Sequence, residues 1–156
     1  MTDNNKRGPG VKFPPPLVFI IAIFLGYWLN NYIVLMTLDS YFWLLIGSTG
    51  VIVSSGVLVY GLYSFFKART NVEPWKPDSK LITTGLYRYS RNPLYLALFA
   101  FTISLGLLMA NFWIVLFAFP ALWVIKNTVI LKEEKYLEEN FADKYIKYKR
   151  EVNRWL

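Results

Sequence analysis

Four long stretches without charge dominate the chain. Leu17 to Met36 runs 20 residues, Phe42 to Phe66 runs 25 and Leu94 to Ala110 runs 17. Phe112 to Leu131 adds 20 more, interrupted only by Lys126 and Asn127. About 20 apolar residues carry an α-helix across the hydrocarbon core of a bilayer. A single domain of 156 residues cannot hide four such helices in a soluble core. The chain therefore reads as an all-α integral membrane protein. It has four transmembrane helices at about 17–36, 42–66, 94–110 and 112–131. The first run is too long for a cleaved signal peptide, and no small-residue cleavage site comes after it. Met109-Ala110-Asn111 alone joins the last two runs, which must form an antiparallel hairpin.

Charge placement orients these spans. The net charge is +7. Three basic residues precede the first span, six lie in the segment 67–93 and seven come after the fourth span. The connection 37–41 holds only Asp39, and the turn between spans three and four holds no charge. The positive-inside rule then puts both termini and the 67–93 segment on the cytoplasmic side. Because the cations flank membrane helices, the basic balance reports topology, and no nucleic-acid partner is expected.

Gly47, Gly50 and Ser54 share one face of span two, with Gly61 returning to it two turns later. Small residues at that spacing form a seam where helix backbones approach closely in lipid. Pro120 predicts a kink in span four. In the tail 132–156, Leu137, Phe141, Tyr145, Tyr148, Val152 and Trp155 recur at steps of three and four. They make one stripe of an amphipathic helix that lies at the interface or folds back over the cytoplasmic mouth of the bundle.

Cysteine and histidine are both absent. This excludes disulfides, thiolate metal sites, Cys nucleophiles and the usual imidazole base, and no metal site is expected. The remaining chemistry-bearing residues gather on the cytoplasmic side. Thr70-Asn71-Val72-Glu73-Pro74-Trp75-Lys76-Pro77 is too rich in proline for a helix. It leads to Gly85-Leu86-Tyr87-Arg88-Tyr89-Ser90-Arg91-Asn92-Pro93-Leu94-Tyr95. There Gly85 permits a turn, Arg91 can hold a carboxylate or phosphate, and Pro93 suits the first turn of the next helix. A second group closes span four. Lys126 and Glu133 are seven apart, as are Asn127 and Glu134, so each pair falls near one face of a regular helix. Ionisable groups at the edge of a span commonly face a watery cavity or one another.

Two blocks carry a family likeness. Gly85-x-Tyr87-x-x-x-Arg91-Asn92-Pro93-x-Tyr95 resembles the G-x-Y-x-x-x-R-[H/N]-P-x-Y pattern of the isoprenylcysteine carboxyl methyltransferase and phospholipid methyltransferase family. Glu133-Glu134-x-x-Leu137-x-x-x-Phe141-x-x-x-Tyr145-x-x-Tyr148 is similar to its second block, E-E-x-x-L-x-x-x-F-G-x-x-Y-x-x-Y. The stretch from Thr70 to Pro77 is also similar to bacterial members. The likeness covers about residues 67–156. Two departures stand out: Asn92 where histidine is commoner, and Ala142 where glycine is usual.

The resemblance implies methyl transfer from S-adenosylmethionine to a lipophilic acceptor, the carboxylate or amine of a prenylated or lipid-like molecule. It also implies a bacterial inner-membrane setting, with membrane lipids around the spans. Carried over, Leu81, Tyr87, Arg91, Asn92, Pro93, Tyr95, Glu133 and Glu134 would line the cofactor pocket. Arg91, Asn92 and Glu133 would act nearest the chemistry. Asn92 exchanges hydrogen bonds but takes no proton near neutrality, so a histidine-type base is not expected there. The cofactor would enter from the cytoplasm, and the acceptor laterally from lipid between spans. Two other classes fit parts of the pattern. One is a nicotinamide-dependent membrane reductase of the sterol reductase type, which shares an R-[H/N]-P-x-Y stretch. The other is a non-catalytic membrane subunit.

Overall fold

The computed structural model describes residues 8–36, 41–76 and 80–156. Lys6, Arg7, Asp39 and Pro77, which entered the reading of charge and motif, lie outside the described residues. Among those described, all regular structure is helical. The α-helices are α1 (Pro16–Asn30), α2 (Tyr41–Ala68), α3 (Pro93–Leu108), α4 (Phe112–Ile125) and α5 (Leu131–Glu151). A 3-10 turn at Gly85–Arg88 precedes α3, and a π-turn at Lys126–Ile130 joins α4 to α5.

Two of these helices are long and apolar enough to cross a bilayer: α2, and the continuous Phe112–Glu151 helix through its apolar first half. Only 11 % of the apolar window of α2 is buried within the protein. Ile52, Val59 and Phe66 stand more than two-thirds exposed along it. A soluble core helix would hide such residues, so this surface belongs in lipid. The other two apolar runs form shorter helices than expected, of 15 and 16 residues. The run from Leu17 to Met36 stops being helical at Asn30. There the Asn31 side chain donates to the Tyr27 carbonyl, and the backbone N–H groups of Tyr32 and Ile33 both turn back to Leu29.

The chain divides into two compact units. The first comprises Pro15–Leu58 and Leu94–Ile125. In it α1 and α4 pack through Phe19, Ala22 and Gly26 against a stripe of Ile114, Ala118, Ala121 and Ile125. Gly26 is required by closeness: a Cβ there would sit 2.7 Å from the Ile114 nitrogen. The expected seam on α2 is present at Gly47, Gly50 and Ser54. Gly47 abuts the backbone of Leu108, Gly50 abuts Ser104, and the buried Ser54 hydroxyl donates to the Gly50 carbonyl at 2.6 Å.

The hairpin between α3 and α4 closes as a Schellman motif. Asn111 N–H reaches Gly106 O at 2.8 Å and Ala110 N–H reaches Leu107 O, with Ala110 at φ +51°. Asn111 is buried. Its Oδ1 accepts from Ile114 N–H as a cap of α4, and its Nδ2 donates to Gly26 O.

The second unit comprises Val59–Pro93, Lys126–Leu156 and the N-terminal stretch to Pro14. Its centre is a cluster of Tyr87, Tyr145 and Tyr148, packed by Phe65, Leu81, Ile82, Leu137, Phe141 and Val152. Five of the six tail positions expected on one stripe meet there. The tail nevertheless differs from a single helix over 132–156 in two respects. It kinks at Ala142, whose φ of +42° and ψ of −121° leave the helical region, and it ends at Glu151. Val152 is extended, and the last residues turn back.

The π-turn corrects a second expectation. An i→i+5 turn inserts about one residue, which rotates the downstream helix by about 100°. Lys126 with Glu133, and Asn127 with Glu134, therefore do not share the faces a regular helix would give them.

Candidate active site

The site is built where the 85–93 segment meets α5. Gly85 starts the 3-10 turn at φ +65°, a conformation costly for any residue with a Cβ, and the Tyr60 hydroxyl lies against it. The turn places the Tyr87 ring edge-on to Phe65, with centroids 5.8 Å apart. The Tyr87 carbonyl accepts from the Tyr148 hydroxyl at 2.6 Å. Pro93 then opens α3, as its fixed φ favours.

Between these points Arg91 turns inward. Its Nη1 lies 3.0 Å from Glu134 Oε1, and both side chains are only 8 % exposed. The same nitrogen donates to the Tyr145 hydroxyl at 3.3 Å. Arg154 completes the group, with Nε 2.9 Å from Glu134 Oε1 and Nη2 2.7 Å from Oε2. One carboxylate is thus held by two guanidiniums, leaving a net positive cluster. Arg91 Nε–H is buried and has no acceptor among the described residues.

The returning chain end adds backbone contacts. Arg91 N–H donates to Asn153 O at 3.0 Å, Asn92 Nδ2 donates to Arg154 O at 3.1 Å, and Ser90 Oγ donates to the same carbonyl at 3.3 Å.

This geometry sets the electrostatics. Burial pushes the Glu134 carboxyl up. The Arg154 hydrogen bonds and the charges of Arg91, Arg154 and Lys149 outweigh it and hold the group below its ordinary value. The Glu134 hydrogen bonds hold Arg154 above its ordinary value. Burial, aided by the Glu134 charge, pushes Tyr145 up to about 12. Burial also raises Tyr148. Both phenols stay neutral across physiological pH, Tyr148 donating to the Tyr87 carbonyl and Tyr145 accepting from Arg91.

Beside this network lies a cavity of about 570 Å³, lined by Leu81, Thr83, Arg88, Lys144, Lys147, Tyr148, Glu151 and Val152. Its size falls within the roughly 300–1,000 Å³ of small-molecule sites. Tyr148 connects cavity to network, its ring tilted against Tyr145 with centroids 6.1 Å apart.

Of the residues expected at the site, Tyr87, Arg91, Asn92 and Glu134 enter this network, and Leu81 lines the cavity. Pro93 is buried at the start of α3, and Tyr95 is half-buried in its first turn. Glu133 is half-buried and lies about 100° round the helix from Glu134. The carboxylate gripped by both arginines is Glu134. The Asn92 amide is spent on the Arg154 carbonyl. Sequence reasoning does not single out Arg154, Ser90 or the Tyr145 and Tyr148 hydroxyls as polar site groups. The two tyrosines stand on the tail stripe, where periodicity marks them only as apolar. No periodicity marks Arg154, which lies beyond the end of α5.

A family model described as phospholipid methyltransferase matches residues 41–144. A protein-S-isoprenylcysteine O-methyltransferase of Saccharomyces cerevisiae is 43 % identical over 76 residues, covering 48 % of this chain and 31 % of the yeast protein. One of Schizosaccharomyces pombe is 35 % identical over 75 residues, covering 48 % of this chain and 32 % of that protein. An uncharacterized protein of Haemophilus influenzae is 41 % identical over 63 residues, covering 40 % of this chain and 94 % of its own length. The aligned region spans about a third of the two yeast enzymes.

Proposed function

Because the chain belongs to the phospholipid methyltransferase family, we propose that it is a membrane methyltransferase moving a methyl group from S-adenosylmethionine to a lipophilic acceptor. The acceptor is the carboxylate or amine of a prenylated or lipid-like molecule. The observation that carries this reading is the Arg91–Glu134–Arg154 cluster, which joins one buried residue of each sequence block to the returning chain end beside a cavity of cofactor size.

The residues present fit the cofactor. Arg91 Nε–H is a buried donor that wants an anionic oxygen, and the cofactor's amino-acid carboxylate is of that kind. Leu81, Val152 and the Tyr148 ring offer an apolar wall to a purine, and Glu151 offers acceptors to ribose hydroxyls. When bound, the sulfonium supplies an already activated methyl, so in-line transfer to a carboxylate needs no base. The protein's part is then alignment and exclusion of water. Glu134 orients Arg91. Tyr145 accepts from Arg91 without ionising. Asn92 fastens the chain end. For an amine acceptor, the proton leaves to Glu133 or to water.

We place both termini and the site at the cytoplasmic face of a bacterial inner membrane, on the charge asymmetry of the connections. α1 and α3 join α2 and α4 as spans, with the shorter pair accommodated by local thinning. The acceptor enters laterally from lipid. The test is transfer of a radiolabelled methyl from S-adenosylmethionine to extracted membrane lipids by purified protein. A labelled lipid product is expected. No transfer to any lipid fraction would refute the reading.

A further inference from the structure

One residue of the network lies in neither sequence block. Arg154 grips both oxygens of Glu134, at 2.9 and 2.7 Å. Its carbonyl accepts from Asn92 and Ser90, and its neighbour Asn153 accepts from Arg91 N–H. Every one of these partners belongs to, or is bound by, the Ser90-Arg91-Asn92 stretch. The carboxylate that Arg154 holds is the same one that holds Arg91. A planar fork fixes a carboxylate in orientation as well as position, which a point charge cannot do. Fixing Glu134 fixes the Arg91 guanidinium, and with it the aim of the buried Arg91 Nε–H, which lacks an acceptor among the described residues.

We infer that Arg154 is a positioning residue of the methyl-transfer site, orienting Glu134 so that Arg91 presents its free N–H to an anionic group of the bound cofactor. The inference rests on the methyl-transfer reading. Arg154 acts only through Glu134. Among the described residues, the charged and titratable groups facing Glu134 are Arg91, Arg154, Lys149 and Tyr145. Removing Arg154 therefore leaves Glu134 buried with one strong partner fewer and makes it easier to protonate.

The test is calorimetric titration of the full chain in detergent with S-adenosylhomocysteine, across pH 4 to 8. Arg154→Ala should bind about tenfold more weakly than wild type. Arg154→Lys, which keeps the charge and loses the fork, should stay well short of wild-type affinity. In both variants the acid limb of the affinity profile should move to higher pH, which loss of packing alone would not cause. In a Glu134→Gln background, Arg154→Ala should cost no more than twofold further. Backbone contacts of the chain end survive these changes, and retained helical circular dichroism checks that each variant folds. Wild-type affinity in Arg154→Ala, full rescue by lysine, or an undiminished loss in the Glu134→Gln background would each overturn the inference alone. Absence of binding by the wild type would overturn the methyl-transfer reading and this assignment with it.

Discussion

At the scale of single residues, two positions carry unusual free energy. Glu134 is an ionised group 8 % exposed between two guanidiniums. Breaking a buried ion pair by removing one partner costs about 3–5 kcal/mol, because the remaining charges stay desolvated. Glu134→Ala should lower the unfolding midpoint in detergent by a corresponding amount; a change as small as that of a surface substitution would contradict the buried geometry. The pH dependence has a definite sign. The folded carboxyl lies below its ordinary value of 4.5. Its contribution is therefore complete above about pH 4.5 and is lost as pH falls through the folded value. Acid should destabilise the wild type more steeply than Glu134→Gln, and equal acid slopes would count against it. The second position is Ala142, at φ +42° and ψ −121°. A side chain in that region costs on the order of 1–3 kcal/mol, which glycine avoids. Ala142→Gly should raise the unfolding midpoint, whereas glycine in a regular helix would lower it.

At the scale of elements, legibility depends on whether the sequence signal is local. Helix existence is legible from uncharged runs, and α2 and α3 begin within one residue of the expected positions. Pro93 marks the start of α3 because its ring fixes φ. The end of α1 is not legible. Hydropathy continues to Met36, but side-chain and backbone bonds at Asn31 and Leu29 stop the helix earlier. The π-turn is equally hidden, since i→i+5 bonding leaves no apolar period, and it displaces the face expected for Lys126 and Glu133. The tail stripe succeeds through Val152 because five side chains share one tyrosine-centred cluster. It misses the reversal that returns Arg154 to Glu134, a long-range contact with no local cause. Ending the chain at Glu151 isolates that reversal. Such a truncation should keep the helical signal and lose most affinity for S-adenosylhomocysteine. Undiminished affinity would show that the returning segment plays no part in holding the site.

At the scale of the whole molecule, the two units divide labour. In Pro15–Leu58 with Leu94–Ile125, packing rests on small residues such as Gly26, Gly47 and Gly50, and large apolar side chains such as Phe24 and Ile52 are left exposed. In Val59–Pro93 with Lys126–Leu156, polar groups are buried and paired, and the cavity is lined by both charged and apolar groups. On the methyl-transfer reading, this second unit binds the methyl donor through Arg91. Titrating wild-type and Arg91→Ala protein with S-adenosylhomocysteine in a calorimeter checks this. Saturable one-to-one binding by the wild type, weakened more than about tenfold by the substitution, is the expected result. No heat of binding by the wild type, or equal affinity in the two proteins, would contradict it.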